Sequence, residues 1–224
     1  MADADTCLID LSHVIADGMT TFKGLPGPVI CDFWTREASA PNYDDGSSFQ
    51  IGRIEMVANT GTYIDSPFHR YADGADLAGL DLAMLAGVPA LTVRQPYEVG
   101  LAVDVGVFTG LDCRNRAVLV HTGWDRHWRT DAYLVDHPFL TEAAARWLVA
   151  GGATIVGIDS HNIDDSRGRS LPVHTILLGA GIPICEHLTN LDALPNDGFS
   201  FTAVPPKVAG MGTFPVRAFA RTGR

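Results

Sequence analysis

The sequence predicts an α/β fold, and three stretches carry that reading. Residues 116–120 form an apolar strand, Thr141 opens a helix that reaches Ala150, and residues 154–158 form a second apolar strand. Thr141 supplies the N-cap of that helix, and Gly151-Gly152 stop it. Strand, helix and strand in this order and at this spacing make a right-handed parallel crossover. The 224 residues suit one domain, 1–224, long enough to bury a core without disulfide staples.

The other elements follow in chain order. Residues 6–11 read as a short strand leading to Ser12-His13, and Asp17-Gly18-Met19 as a turn, with His13 a hydrogen-bonded structural residue. Residues 24–50 mix prolines and glycines with Phe33, Trp34, Tyr43 and Phe49. That loop fits equally a substrate lid and a cover whose aromatics shield the core. Residues 51–58 alternate: Gly52, Ile54, Met56 and Ala58 share one face, Arg53 and Glu55 the other, which is a strand. This strand runs out into Asn59-Thr60-Gly61-Thr62-Tyr63-Ile64-Asp65-Ser66-Pro67-Phe68-His69. Gly61 there permits positive φ or close backbone approach, and Pro67 fixes the exit direction. Asp65 and His69 are the titratable groups delivered; the spacing alone fits a functional site and a capped turn equally.

Downstream, residues 77–85 suggest a short helix and 89–93 a strand, and His121-Thr122-Gly123-Trp124-Asp125 closes the strand at 116–120. Asp159-Ser160 stand at the carboxyl end of the strand at 154–158. Ser170 is placed to cap a helix with Pro172 in its first turn and His174 just after, and Gly179 and Gly181 end it. Residues 182–186 form a strand ending on Glu186, whose apolar context is odd for an unpaired carboxylate. A last strand spans 213–220.

Composition narrows the classes. A hydrophobic content of 46% with 19% charged residues describes a globular chain and excludes a disordered or fibrous one. A net charge of -10 argues against nucleic acid or an anionic membrane as partner. Cys7, Cys31, Cys113 and Cys185 form no CxxC pair, which fits reduced, mostly buried thiols in a cytoplasmic protein. Met1-Ala-Asp-Ala-Asp5 lacks the apolar run of a signal peptide, and no segment has the ~20 apolar residues of a membrane span.

The stretch from Asn59 to His69 resembles the signature of the cyclase family of kynurenine formamidase-like and isatin hydrolase-like enzymes, His-x-Gly-Thr-His-x-Asp-x-Pro-x-His. Gly61, Thr62, Asp65, Pro67 and His69 match it, while Asn59 and Tyr63 stand where it has histidines. The resemblance extends to Asp10-Leu-Ser-His13, Gly18-Met19, Thr122-Gly-Trp124, His174, Glu186 and the last strand, and so spans nearly the whole chain. It implies a swivelling β/β/α domain and a pocket in which Asp65, His174 and Glu186 hold metal and His69 is the acid–base residue. Asp65 and Tyr63 join His69 in the catalytic set, Tyr63 as a hydrogen-bond donor to an oxyanion. Asn59, Phe33, Trp34 and Trp124 are the expected substrate contacts, and Arg217 an expected partner of an acidic site residue. With two imidazoles replaced, the implied cofactor is at most one divalent cation (manganese, magnesium or zinc), with none as the other outcome.

The chemistry so implied is hydrolysis of a small N-acyl amide, such as a formamide, or of a cyclic amide or lactone. Its alternatives are a metal-free lyase, isomerase or cyclase using His69 and Tyr63, and an inactive small-molecule-binding relative. The resemblance also implies a homodimer or homotetramer, with a neighbour's loop completing the pocket.

Overall fold

Residues 6–223 are described in a computed structural model of the chain. In chain order its strands are β1 (Cys7–Asp10), β2 (Val29–Trp34), β3 (Ile51–Glu55), β4 (Tyr63–Asp65), β5 (Val88–Arg94), β6 (Ala102–Val103), β7 (Ala117–His121), β8 (Phe139–Leu140), β9 (Ile155–Ile158), β10 (Ile184–Glu186), β11 (Phe199–Thr202), β12 (Thr213–Pro215) and β13 (Phe219–Thr222). The α-helices are α1 (Arg36–Ser39), α2 (Glu142–Gly151) and α3 (Pro172–Gly179). Nine strands share one sheet in the order β1-β13-β11-β5-β7-β9-β10-β4-β12. Its centre, β5-β7-β9-β10, is parallel, and the strands on both flanks are antiparallel.

The expected crossover is β7–α2–β9. Thr141 caps α2 by accepting from the Ala144 amide at 3.1 Å, and Gly152 closes it in the left-handed region at φ 76°. Side chains alternate across the central strands, as the two-residue period of a strand requires. Val118, Val120, Val156 and Ile158 pack under α2 and α3 with Leu148, Val173 and Leu177. Ala117, Leu119 and Ile155 point to the opposite face, against Leu188, Leu191 and Phe201. This curled sheet with helices on one face is the β/β/α arrangement that the family resemblance implied.

Three elements differ from expectation. Residues 77–85 make only a short 3₁₀ turn, Leu82–Met84, capped by Asp81; Leu77 and Leu85 are buried in the sheet core instead of lining a helix face. The strand at 51–58 ends at Glu55, and all five of its residues are exposed. The strand at 213–220 is interrupted, because Thr213–Pro215 pairs with β4 while residues 219–222 pair with β1 and β11. Between them Val216 and Ala218 bond to Thr62 and Ser12, which carries the chain from one end of the sheet order to the other. Part of the loop at 24–50 is ordered as β2, which pairs with β3 in a separate two-stranded sheet.

The four cysteines are free; Cys113 and Cys185 are buried, whereas Cys7 and Cys31 are exposed, so burial holds for two of them. No helix among the described residues is long and apolar enough to cross a membrane.

Candidate active site

The parallel strands β9 and β10 end side by side, and open α/β sheets collect ligands outside such carboxyl ends. β4 runs antiparallel beside β10, so their registers place Tyr63 opposite Glu186, and Asp65 opposite Thr213 of β12. Gly61, entering β4, has φ 66°, and a Cβ there would come 2.8 Å from the Ile15 side chain. Both the positive φ and the close approach expected of it hold. At the exit of β4, Pro67–His69 form one 3₁₀ turn. Gly212 passes so close that a Cβ on it would lie 2.5 Å from the His69 backbone nitrogen.

These elements enclose a cavity of about 230 Å³. Asn59, Tyr63, His69, Asn162, His174 and Glu186 form its polar wall, and Phe22, Leu25 and Leu171 its apolar one. Phe33, Trp34 and Trp124 do not line it. Phe33 and Trp34 lie on the exposed β2–β3 hairpin, where Trp34 packs edge-on against Phe49. Trp124 is buried, and its indole N–H donates to the Tyr133 carbonyl at 3.1 Å. Arg217 pairs with Asp10 through two hydrogen bonds of 2.9 and 2.6 Å, so it is not the partner of an acidic site residue. His121 faces a separate surface cleft with Asp125 and Asp192.

At the deep end of the cavity, Asp65 and Glu186 are both fully buried. Asp65 Oδ1 accepts from the Thr213 hydroxyl, while Oδ2 has no hydrogen-bond partner. Glu186 Oε1 accepts from the Ile163 amide at 2.6 Å, and Oε2 from the Tyr63 hydroxyl at 2.5 Å. Burial, then the carboxylates of Glu186 and Asp65, holds the Tyr63 phenol well above its usual range, so its proton stays on. Burial likewise raises the Glu186 carboxyl, with the His174 ring opposing and Asp65 adding to the rise.

His174 stands between the two acids, its Nε2 3.7 Å from Asp65 Oδ2 and 3.7 Å from Glu186 Oε1. Its Nδ1 lies 2.6 Å from Asp164 Oδ2, and the same Asp164 carboxylate accepts the amides of Val173 and His174. Asp164 therefore caps α3 and orients the ring; Leu171 occupies the N-cap position, and Ser170 is not the cap. A carboxylate eight residues before the first residue of α3 takes the place of the local hydroxyl, which sequence spacing does not reveal. Burial disfavours the His174 imidazolium, but Asp164, Asp65 and Glu186 outweigh it and raise the ring to about 10.

His69 holds the outer end of the cavity, its side chain 35% exposed. Its Nδ1 is 2.9 Å from Thr213 Oγ1. Asp65, as a carboxylate, only accepts, so the Thr213 proton goes to Oδ1 and the Thr213 oxygen accepts from His69 Nδ1–H. The lone pair is then left on Nε2. Thr213 and Asp164, like the lining residues Phe22, Leu25, Asn162 and Leu171, are not singled out by the sequence; the pairing of the last strand with Asp65 is what brings Thr213 in.

The donor set fits one divalent cation. Asp65 Oδ2 is a buried oxygen without a donor, and 3.7 Å is too long for a hydrogen bond to His174. Ligand atoms ~2.1 Å from one ion stand roughly 3–3.5 Å apart, close to that spacing. The ligand atoms of Asp65, His69 and His174 also lie within 4.8 Å of one another, so His69 and Glu186 compete as the third ligand. Asn59 and Tyr63 add no imidazole to this set, because Asn59 offers an amide and Tyr63 a phenol that keeps its proton.

A second cluster adjoins this one. The rings of His161 and His187 lie against each other and against Tyr133 and Phe22, Trp128 meets His187, His137 meets His161, and His13 stacks on Trp128 at 4.1 Å. His13 is a structural residue as expected: its backbone amide donates to Thr62 Oγ1 at 3.0 Å and its ring is held by stacking, while Nε2 has no partner. Burial lowers His13 to about 4, with Asp125 opposing, and lowers His161 to about 3, with His137 adding. Burial and the neighbouring imidazoles keep His187 well below its usual value, partly offset by the His161 backbone carbonyl.

Sheet order, crossover and a buried acid–imidazole site between β4, β10 and α3 define an α/β protein of the cyclase type. A family model described as "Putative cyclase" matches residues 9–165, and the chain belongs to that family. It is 30% identical over 219 residues to a kynurenine formamidase of Geobacillus thermodenitrificans (strain NG80-2), covering 95% of this chain and 96% of that protein. Among solved structures, one described as "Potential Metal-Dependent Hydrolase With Cyclase Activity" is 26% identical, with a TM-score of 0.79 over 98% of this chain and 100% of the other. Isatin hydrolase A from Labrenzia aggregata shares the fold at a TM-score of 0.83 and 21% identity, over 98% of this chain and 94% of that one.

Proposed function

We propose that the protein hydrolyses the carbon–nitrogen bond of a small N-acyl or cyclic amide, arylformamidase-like, with at most one divalent metal. The observation that carries this reading is the buried Asp65–His174–Glu186 group opening, beside His69, into a cavity of about 230 Å³. The kynurenine formamidase likeness over 95% of the chain supports the same bond type.

A cation would be held by Asp65, His174 and Glu186 and would supply Lewis acidity there. The chain's own residues do the rest. His69 Nε2 takes the proton of the attacking water and returns it to the departing nitrogen as the carbon–nitrogen bond breaks. Thr213 and Asp65 hold the His69 ring in the tautomer this requires. Asp164 turns His174 Nε2 toward the acids, and Tyr63 fixes Glu186. Phe22, Leu25 and Leu171 exclude bulk water from one side.

One observation favours a second reading, a metal-free lyase or isomerase. His174, raised to about 10, is itself a cation between the carboxylates and offsets part of their charge without an ion. Purified full chain is assayed on N-formyl anilines, following release of the amine, with manganese, after chelation and after manganese is restored. Turnover lost on chelation and regained with metal is expected. Turnover insensitive to chelator shows that the hydrolysis needs no metal, and no carbon–nitrogen cleavage under any condition overturns the first reading and leaves the second.

The same proposal includes a homodimer or homotetramer of single-domain subunits working in the cytoplasm. The β2–β3 hairpin supports the assembly: Val29, Phe33, Ile51 and Ile54 are exposed by 43–73% on a two-stranded sheet too small to stand alone. A second copy covering it would bring Phe33 and Trp34 to a pocket. Sedimentation showing monomer alone at micromolar concentration overturns this part.

A further inference from the structure

We propose that the side-chain amide of Asn162 donates the hydrogen bond that receives the oxyanion when the scissile carbonyl is attacked, which makes Asn162 a catalytic residue. The proposal deepens the hydrolase reading and rests on it.

Nearly every donor in the cavity wall is already committed. Tyr63 gives its one proton to Glu186 Oε2 at 2.5 Å, so the oxyanion role expected of that phenol falls to another group. His69 Nδ1–H goes to Thr213, which leaves Nε2 with the lone pair that takes a proton from water. His174 Nδ1–H goes to Asp164, and its Nε2 faces Asp65 and Glu186. Glu186 as a carboxylate only accepts, and Phe22, Leu25 and Leu171 bring no polar side chain. The amides of Asn59 and Asn162 remain.

These two amides are held differently. The backbone N–H of Asp164 donates to the Asn162 side chain at 2.8 Å. A backbone N–H can only donate, so the atom it meets is Oδ1, and the hydrogens of Nδ2 project from the other corner of the amide. Nδ2 has no partner among the described residues and is not sealed in the core, so it opens to the cavity that Asn162 lines. The clamp belongs to a segment that is itself fixed. The Ile163 amide holds Glu186 Oε1 at 2.6 Å, and Asp164 caps α3 and holds His174. Asn59 has no such clamp; its amide faces the Tyr63 hydroxyl and is the one neighbour that draws that phenol down. A donor fixed before the reaction suits an oxyanion, because it need not reorganise as charge develops.

The step balances with no further reactant. Water oxygen bonds to the carbonyl carbon, His69 Nε2 takes one water proton, and the carbonyl π pair moves onto oxygen. Asn162 Nδ2–H pairs with that oxyanion and keeps its own proton. As the pair returns, the carbon–nitrogen bond breaks and His69 hands its proton to the departing nitrogen.

Formanilide and thioformanilide test this with the manganese-loaded full chain, because sulfur is a weak hydrogen-bond acceptor. We expect Asn162→Ala to lower kcat for formanilide by ~10²–10³, with KM little changed. The preference for oxygen over sulfur in kcat/KM should shrink about 10–100-fold, the worth of one hydrogen bond to a charged group. Any preference set by the metal is common to all variants and cancels in this comparison. Asn162→Asp keeps the oxygen that the Asp164 amide uses but lacks the N–H, so it should lose the preference as well. A preference kept in Asn162→Asp leaves Asn162 only a structural clamp and overturns the proposal. So does a preference lost in Asn59→Ala and kept in Asn162→Ala. If neither compound is cleaved, the hydrolase reading fails by itself and formanilide becomes a stable ligand. Its Kd relative to that of thioformanilide, read by calorimetry, then carries the same comparison. A ratio lost in both Asn162 variants supports Asn162 as donor to the carbonyl oxygen, and an unaltered ratio or no binding overturns it.

Discussion

His174 and His161 are both buried imidazoles, yet their protons are held in opposite ways. His174 is 3% exposed, with three carboxylates around it, and its ring is raised to about 10. His161, 5% exposed, has imidazoles and aromatic rings for neighbours and is lowered to about 3. Burial is nearly the same and pushes both rings toward the neutral form. The neighbours alone reverse the outcome: three carboxylates keep a proton on His174, and imidazoles and aromatic rings keep one off His161.

That contrast can be broken at its chemical half first. His69→Ala should lower kcat by ~10²–10⁴ with thermal stability little changed, measured by steady-state rates and a melting curve. Equal turnover by the variant would remove His69 from the chemistry.

Acid is the next lever, of similar size in free energy. His161 and His13 have folded values of about 3 and 4, below the ~6.5 of the unfolded chain, so the unfolded state takes up protons first. Their contribution to stability is present above about pH 6.5 and lost as pH falls toward 4, about 3 kcal/mol for His161 alone. His174 has the opposite sign: its contribution is full below about pH 6.5 and lost as pH rises through 10. Denaturant unfolding between pH 4 and 7 reads the acid slope, and His161→Phe should flatten it. An equal slope in that variant would show that the imidazole cluster is not what acid attacks.

Asp164→Asn sharpens the comparison by removing one carboxylate from His174. Manganese affinity should fall about 10–100-fold, as for other lost partners of a ligating imidazole, read by calorimetric titration. Unchanged affinity would mean that His174 is not a ligand. The smallest effect expected is that of Thr213→Val, about tenfold in kcat with an altered pH profile, since only the tether between Asp65 and His69 is lost. A KM change at constant kcat would make Thr213 a binding residue instead.

The crossover, the Thr141 cap and the Gly152 stop were legible because each depends on residues within one helix and its flanking strands. Asp65, His69, His174 and Glu186 were legible only as matches to a family pattern; spacing alone left Asp65 and His69 ambiguous. Thr213 and Asp164 were hidden because their roles depend on register and on a cap reached from a loop, both long-range facts. The convergence of the imidazoles was hidden too: His13 was legible as a structural residue, but it, His161 and His187 lie far apart in sequence and nothing local marks their meeting. The short strand at 51–55 and the missing helix at 77–85 show the reverse error, where a local pattern was sound but tertiary contacts used it differently.

Gly212 bears on how variants of this chain will sort in a library. A side chain at 212 would meet the His69 backbone at 2.5 Å and shift the 3₁₀ turn that aims the ring. That turn is at the surface end of the cavity, outside both apolar cores. Selection for solubility or protease resistance would therefore keep substitutions at 212 that selection for turnover discards, and comparing the two enrichments at this one codon separates what the fold requires from what the reaction requires.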